Sequence, residues 1–192
     1  MWGTMPVRAL CTRARDLGFR ILALTDTDNL YGLWPFVRAC EDLGLTPVIG
    51  AEITDPAAGT RAVCLVKNSQ GYSNLCRLIT RRHRDAEFNL ETSLPPLSRG
   101  LCVLTRNASL LSPWHARGID LGVNLPRSPL SRQHPLIRAA RKLGIPLVAT
   151  PGSFFASPGD RTVHAMLRAI DRRTDPDRLD PGDAAPANAF LA

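Results

Sequence analysis

The fold is decided by residues 18–32, which read GFRILALTDTDNLYG. The apolar run 21–24 follows a glycine that can end a helix, and the polar segment 25–29 comes next. A short, continuous apolar run is typical of a strand that is buried on both faces. We therefore predict a strand at 21–24 that leads through a polar loop into a helix.

The same unit of strand, polar turn and helix recurs along the chain. Further strands are predicted at 47–52, 62–66, 101–104, 119–123 and 146–149. Helices are predicted at 6–17, 33–43, 70–82, 136–143 and 160–170. The stretch 84–100 is polar and contains proline, so we predict a long loop there. This alternation predicts an α/β protein with a parallel sheet or barrel and outer helices, and a doubly wound sheet is the competing architecture.

Length and composition fit one globular, intracellular domain. The chain has 192 residues, of which 44% are hydrophobic, enough to build a core. No apolar stretch is long enough to cross a bilayer, and the first residues lack the pattern of a leader peptide. We expect a cytoplasmic protein with no membrane contact. Its scattered cysteines are predicted to be buried thiols: Cys11, Cys40, Cys64, Cys76 and Cys102.

The positive charge comes almost entirely from arginine. The formal net charge is +7, and the only lysines are Lys67 and Lys142. Arginines stand at i, i+4 and i+7 in one predicted helix, at Arg77, Arg81 and Arg84. A second stripe comprises Arg161, Arg168 and Arg172. Either stripe could contact nucleic-acid phosphates or an acidic partner, and the alternative is a solvated helix face.

Two carboxylates follow successive predicted strands. Asp26 comes after the first strand and Glu52 ends the second. Chemistry in α/β folds is located at the carboxyl ends of strands, and clustered oxygen ligands suit divalent cations. We therefore predict that Asp26 and Glu52 lie close together at one rim and could share a metal ion. The alternative is that such an aspartate only caps a turn or the next helix.

Several segments together resemble a known family. They are LALTD at 22–26, NLYG at 29–32, GLTPVIGAE at 44–52, LVKN at 65–68, GYSNL at 71–75 and LGIPLVAT at 143–150. This ordered set resembles the polymerase and histidinol phosphatase (PHP) domain, in the version at the N-terminus of bacterial DNA polymerase III alpha subunits and error-prone polymerases. The resemblance implies a distorted (β/α) barrel, incomplete at its N-terminus, over residues 1–173. Residues 174–192 are expected to be a tail or truncated linker.

The departures from the family pattern bear on activity. Active members hold several metals for phosphoester hydrolysis, and two of their histidines precede the point where this chain begins. Of the family's Asp-His pair Asp26 remains, but Thr27 replaces the histidine. Glu52 remains, the strand at 61–64 contains no histidine, and the late Asp-x-His is 152–154, GSF. The resemblance thus implies remnant ligands at Asp26 and Glu52, no catalytic residue, and at most weak Mn or Zn binding.

We expect a degenerate, non-catalytic PHP-like domain with a structural or docking role. Its expected partner is a DNA polymerase subunit or core, in replication or repair. One alternative is an active metal-dependent phosphoesterase completed by upstream residues or another chain. Another is a nucleic-acid-binding module that uses the arginines. Because residues 1–4 resemble the inside of the family's opening motif, we also expect the natural reading frame to start upstream of Met1.

Overall fold

The structure is a computed structural model that describes residues 3–125, 130–150, 152–155, 157–180, 183–186, 188–189 and 191, apart from the side chains of 130–134. The helices in these residues are α1 (Val7–Asp16), α2 (Leu33–Leu43), α3 (Ser69–Arg84), α4 (Leu90–Ser93), α5 (Ala108–Ala116), α6 (Leu130–Lys142) and α7 (Arg161–Arg172). The strands are β1 (Ile21–Thr27), β2 (Thr46–Asp55), β3 (Thr60–Val66), β4 (Leu101–Thr105), β5 (Leu121–Leu125) and β6 (Leu147–Ala149). Short 3₁₀ turns cover Pro95–Leu97, Pro158–Asp160 and Pro176–Arg178.

The six strands form one curled sheet in sequential order, half of a barrel. A doubly wound sheet reverses its strand order at a switch point, and this sheet has no such reversal. The prediction of an α/β, barrel-like fold is therefore confirmed. The expectation of an all-parallel sheet is wrong at β3, which runs antiparallel to both of its neighbours. Only residues 56–59 connect β2 to β3, and a parallel crossover needs a dozen or so residues.

The core lies under the helices on one side of the sheet, which we call the outer face. Ala51, Cys64 and Val103 are neighbours across β2, β3 and β4, and all three are fully buried. Leu75 of α3 and Trp114 of α5 pack into the same cluster. Because side chains alternate along a strand, the opposite or inner face carries Glu52, Val63 and Leu104.

A second cluster covers the outer face of β1. Cys11 and Ala14 of α1 pack with Phe36 of α2, and Leu22 and Leu24 of β1 lie against them. The same face of β1 therefore holds two helices in place beside the candidate site. Near the end of the chain, Leu191 is buried in this cluster, so part of the region after residue 174 contacts the domain. The predicted boundary at residue 174 stays a prediction.

The stretch 84–100 is not the long loop that we predicted. It contains α4 and a 3₁₀ turn because buried polar groups hold it to the outer face. Asp55 Oδ2 accepts a hydrogen bond from the Leu90 amide at 2.9 Å, and Asn89 caps the short helix by accepting from the Thr92 amide at 3.1 Å. The indole N–H of Trp114 donates to the Glu91 carbonyl at 3.0 Å.

Element boundaries were predicted unevenly. The helix at 33–43 is confirmed residue for residue, whereas helix α5 was not predicted. The polar loop expected at 25–29 is wrong for residues 25–27, which continue β1. The strand predicted at 119–123 lies two residues later, at 121–125.

The cysteines divide into two groups. Cys11, Cys40 and Cys64 are buried, as predicted, but Cys76 and Cys102 are only half-buried. The sulfurs of Cys11 and Cys40 are 3.8 Å apart between α1 and α2. Burial, together with the neighbouring Cys11, raises the pKa of Cys40 to about 12. Burial likewise raises the pKa of Cys64 to about 12. These thiols stay protonated at neutral pH and pack as apolar groups.

Candidate functional site

The carboxyl ends of β1 and β2 form the rim where the sequence places its candidate residues. The two strands are parallel, and Asp26 is in register with Ala51 while Thr27 is in register with Glu52. Side chains in register point to the same face, and successive side chains alternate. Asp26 and Glu52 are therefore at the same end of adjacent strands but on opposite faces of the sheet. This register does not favour one metal ion shared by both carboxylates.

Asp26 lies on the outer face, where it holds the turn before α2. Its Oδ2 accepts a hydrogen bond from the Gly32 amide at 2.9 Å. A side chain at Gly32 would begin 3.0 Å from that oxygen and 2.7 Å from Leu24 Cδ2, so it would have to displace the Leu24 or Asp26 side chain. This geometry is that of an aspartate that caps a turn, the alternative that the sequence left open.

Glu52 lies on the inner face between two polar neighbours. Thr27 Oγ1 donates to Glu52 Oε2 at 3.3 Å, and Arg61 Nη1 is 3.5 Å from the same oxygen. The Glu52 side chain is 24% exposed and that of Arg61 is 55% exposed. The carboxylate is therefore accessible from the rim, and its charge is balanced by a guanidinium.

Asp28, which the sequence analysis did not single out, organises the same rim. Its φ of 54° is left-handed, a conformation that aspartate and asparagine adopt more readily than most residues. Asp28 accepts hydrogen bonds from the Thr54 amide at 2.8 Å and the Thr54 hydroxyl at 2.5 Å. Arg82 of α3 lies 3.6 Å from its carboxylate, and His83 Nε2 donates to its carbonyl at 2.6 Å. The sequence did contain a signal for this residue: Asp28 lies in a polar run between a predicted strand and a predicted helix.

The three histidines whose side chains the structure describes do not converge on Glu52. His83 is tied to the Asp28 backbone, and His115 is exposed at the end of α5. The buried His164 accepts a hydrogen bond from the Ala185 amide at 2.8 Å. The side chain of His134 lies outside the described residues. Within the described part of the chain, no group of three or more His, Cys, Asp or Glu side chains could hold a metal ion.

Residues 152–154, which the resemblance aligns with the family's late Asp-x-His, are held in place by backbone hydrogen bonds of Phe154. The Phe154 carbonyl accepts a hydrogen bond from the Thr4 amide at 3.0 Å, and the Phe154 amide donates to the Ala189 carbonyl at 2.9 Å. Phe155 is fully buried, with its ring centroid 5.8 Å from that of His164. Ser153 Oγ is buried and has no hydrogen-bond partner among the residues that the structure describes.

The donor set around Glu52 does not fit the metal cluster that the family resemblance implies. A guanidinium is a cation with five N–H donors and no lone pair to offer a metal. A threonine hydroxyl is a poor substitute for an imidazole nitrogen at a borderline metal. Glu52 and Asp28 at this rim each already lie beside an arginine, so the rim does not offer the ligand set of a metal cluster.

The two arginine stripes differ in the structure. Arg77, Arg81 and Arg84 are all exposed on α3. The prediction of a contact face on α7 is wrong because Arg168 is buried: its Nε donates to the Asp183 carbonyl at 2.7 Å, and it pairs with Asp171. Because Arg168 is buried, the exposed side of α7 is a different side from the one that carries this arginine.

Comparison with known proteins assigns the family. The sequence model of the PHP domain matches residues 1–109. The chain belongs to the PHP family. It is 32% identical over 190 aligned residues to an error-prone DNA polymerase of Pseudomonas syringae pv. syringae, covering 90% of this chain and 18% of that protein. Against DNA polymerase III subunit alpha of Aquifex aeolicus the identity is 22% over 238 residues, covering 98% and 20%. This PHP chain thus spans about a fifth of the length of these curated relatives.

A solved structure supports the fold of the PHP chain. An amidohydrolase from Chromobacterium violaceum with bound sulfate superposes with a TM-score of 0.58 at 15% identity, over 83% of this chain and 85% of that one. At this identity the likeness shows a shared barrel-like fold alone. No helix among the described residues is both long and apolar enough to span a bilayer.

Proposed function

We propose that this PHP domain is non-catalytic and has a structural or docking role beside a DNA polymerase core, in replication or repair. The observation that carries the proposal is the pairing of Glu52 with Arg61 and Thr27 on the inner face. The relatives that are DNA polymerases support the polymerase context. On this proposal the protein acts in the cytoplasm, where DNA is copied in bacteria.

Loss of hydrolysis follows from what metal catalysis requires. Metals that hydrolyse phosphoesters lower the pKa of bound water and clamp both the attacking and leaving oxygens, which needs several fixed ligands. Glu52 alone, beside a guanidinium, could hold one weakly bound Mn or Zn ion at most, and Asp26 is engaged on the other face. No tightly held cofactor is expected.

The docking role has a candidate surface on α7. Val163, Met166 and Ile170 are 51%, 52% and 72% exposed and recur at i, i+3 and i+7 on one side of this helix. His164 and Ala169 are buried on the other side. A helix that exposes apolar side chains on one face while its other face is already packed is typical of a protein contact. We propose that the polymerase core covers this stripe.

A hydrolysis assay tests the non-catalytic part of the proposal. The purified chain, supplied with Mn²⁺ or Zn²⁺, should hydrolyse bis(p-nitrophenyl) phosphate no faster than the Asp26→Ala, Glu52→Ala double variant. Turnover that the double variant abolishes would instead support the competing function, an active phosphoesterase completed by upstream residues or another chain. A Glu52→Ala single variant then separates loss of the site from loss of the Asp26 turn.

Co-elution tests the docking part. On gel filtration with the DNA polymerase III alpha-type core of the same cell, the chain should form a complex that Ile170→Asp disrupts. Arg161→Asp places the same side chain at an exposed position on the other side of α7 and should leave the complex intact. Equal co-elution of both variants, or no complex with the unaltered chain, would contradict docking through α7.

A further inference from the structure

The exposed side of α3 carries a shallow surface, open to solvent and lined by arginine, which we call the α3 groove. Arg77, Arg81 and Arg84 line it together with the ring of Tyr72, which is 38% exposed. The three arginines stand at i, i+4 and i+7, so they lie on one side of the helix. Nothing in the PHP site on the inner face uses these residues.

Most of the positive charge in this groove is not neutralised. Asp85 is the one carboxylate in its lining, and it lies 3.5 Å from Arg81 Nε. Neither Arg77 nor Arg84 forms an ion pair with any residue that the structure describes. The groove therefore presents at least two uncompensated guanidinium groups to a ligand.

The neighbouring Arg82 shows what an arginine with a structural role looks like on the same helix. It points inward, where its Nη2 is 3.3 Å from Thr54 Oγ1 and 3.6 Å from the Asp28 carboxylate. Its guanidinium carbon also stands 5.8 Å from the centre of the Phe88 ring. Arg82 is held by contacts with the rim and the core, whereas the other three arginines point outward. Substitution of those three should therefore leave the fold intact.

The chemistry of the groove favours phosphate over a protein surface. Guanidinium groups match phosphate oxygens with paired N–H donors, and arginine is common wherever phosphate is recognised. Tyrosine and arginine also anchor protein contacts, so it is the uncompensated charge of Arg77 and Arg84 that favours phosphate. The exposed ring of Tyr72 is the kind of platform on which an unpaired base can stack.

The spacing also matches a phosphate backbone. Seven residues of α-helix rise about 10 Å between Arg77 and Arg84. One strand of B-DNA presents a phosphate about every 3.4 Å along its axis. The groove is therefore long enough for each arginine to meet a phosphate of one strand.

We propose that the α3 groove, formed by Arg77, Arg81, Arg84 and Tyr72, binds the phosphate backbone of DNA without sequence preference. This inference stands apart from the proposed non-catalytic role, since binding by α3 requires neither a metal nor a polymerase. Single-stranded and duplex DNA share the phosphate chemistry, and the contribution of Tyr72 distinguishes them.

Fluorescence anisotropy with a labelled 30-nucleotide strand and a labelled 30-base-pair duplex tests the proposal on the full chain between 50 and 200 mM salt. Three phosphate contacts give a slope of log affinity against log salt of about −2.7 for duplex and −2.1 for single strands. Arg77→Gln, Arg81→Gln and Arg84→Gln together should remove most of that slope. Over this fourfold change in salt, those contacts correspond to losses of about 40-fold and 20-fold in affinity.

A charge-matched control separates a site from a general effect of net charge. Arg13→Gln, Arg38→Gln and Arg141→Gln remove the same charge from exposed positions on α1, α2 and α6 and should leave the slope nearly unchanged. Tyr72→Ala should weaken binding of the single strand more than of the duplex if a base stacks on the ring. Equal losses in the two triple variants, or no binding by the unaltered chain at 50 mM salt, would overturn the proposal.

Discussion

The two faces of the curled sheet carry opposite kinds of residue at neighbouring positions. On the outer face Ala51, Cys64 and Val103 are completely buried under helices. On the inner face of the adjacent strands, Ile21 is 61% exposed and Glu52 meets Arg61 at 3.5 Å. Packing on the outer face therefore holds the fold together. Substitutions on the inner face should therefore disturb the fold less than substitutions on the outer face.

Truncation of one side chain on each face tests this contrast with the largest expected effect. Leu75→Ala removes a fully buried side chain from beneath α3, and we expect it to lower the free energy of unfolding by about 2–5 kcal/mol. Ile21→Ala, on the inner face, should cost less than about 1 kcal/mol because much of that side chain is already in solvent. Urea unfolding of both variants measures the difference, and equal losses would contradict the contrast.

The buried Cys64 thiol on the outer face should make the folded protein less stable at alkaline pH. Burial raises the pKa of Cys64 from 9.0 to about 12, so above pH 9 the thiol of the unfolded chain ionises while that of the folded chain does not. The stability contributed by this group is complete below pH 9 and is lost as pH rises towards 12, by up to about 1.4 kcal/mol per pH unit. Urea unfolding at pH 7.5 and 10.5 measures this loss.

Cys64→Ala should reduce the alkaline loss of stability without abolishing it, since burial also raises the pKa of Cys40 to about 12. Val103→Ala, at the equally buried neighbour in register, lowers stability but keeps the thiol and so should preserve the full alkaline loss. If Cys64→Ala and the unaltered chain lost stability in parallel between these pH values, burial of Cys64 would not be the cause.

The two candidate carboxylates should differ in how much they stabilise the fold. Asp26 on the outer face should contribute more than Glu52 on the inner face. Asp26→Ala removes the acceptor for the Gly32 amide, a cap whose loss costs about 1 kcal/mol. Glu52→Gln removes one member of a half-exposed pair at 3.5 Å and should change stability by less than about 0.5 kcal/mol. Asp26→Asn, which keeps an acceptor oxygen, is the matched control. A larger loss for Glu52→Gln than for Asp26→Ala in urea unfolding would contradict the assignment of faces.

The sequence predicted the order of elements well because buried strands occur in it as short apolar runs between turn residues. It did not reveal the direction of β3, although the short connection at 56–59 was a usable signal. The structure of 84–100 depends on long-range partners such as Asp55 and Trp114, which no local pattern identifies.

The site was harder to predict than the fold. Residues that follow two neighbouring parallel strands share an edge of the sheet, but a one-residue change in register decides which face each side chain occupies. The sequence alone left that register open, and the pairing of Thr27 with Glu52 fixes it. The two arginine stripes show the same limit, since helical spacing of arginines on α7 does not indicate that Arg168 is buried.

Metal stoichiometry at the inner face tests the central claim most directly. The chain should be equilibrated with Mn²⁺ or Zn²⁺, passed through a desalting column and measured by elemental analysis beside Glu52→Ala. We predict well under one metal ion per chain and no difference between the two proteins, because Glu52 is already engaged with Arg61 and the Thr27 hydroxyl. Two or more tightly held ions per chain, lost in Glu52→Ala, would contradict the account.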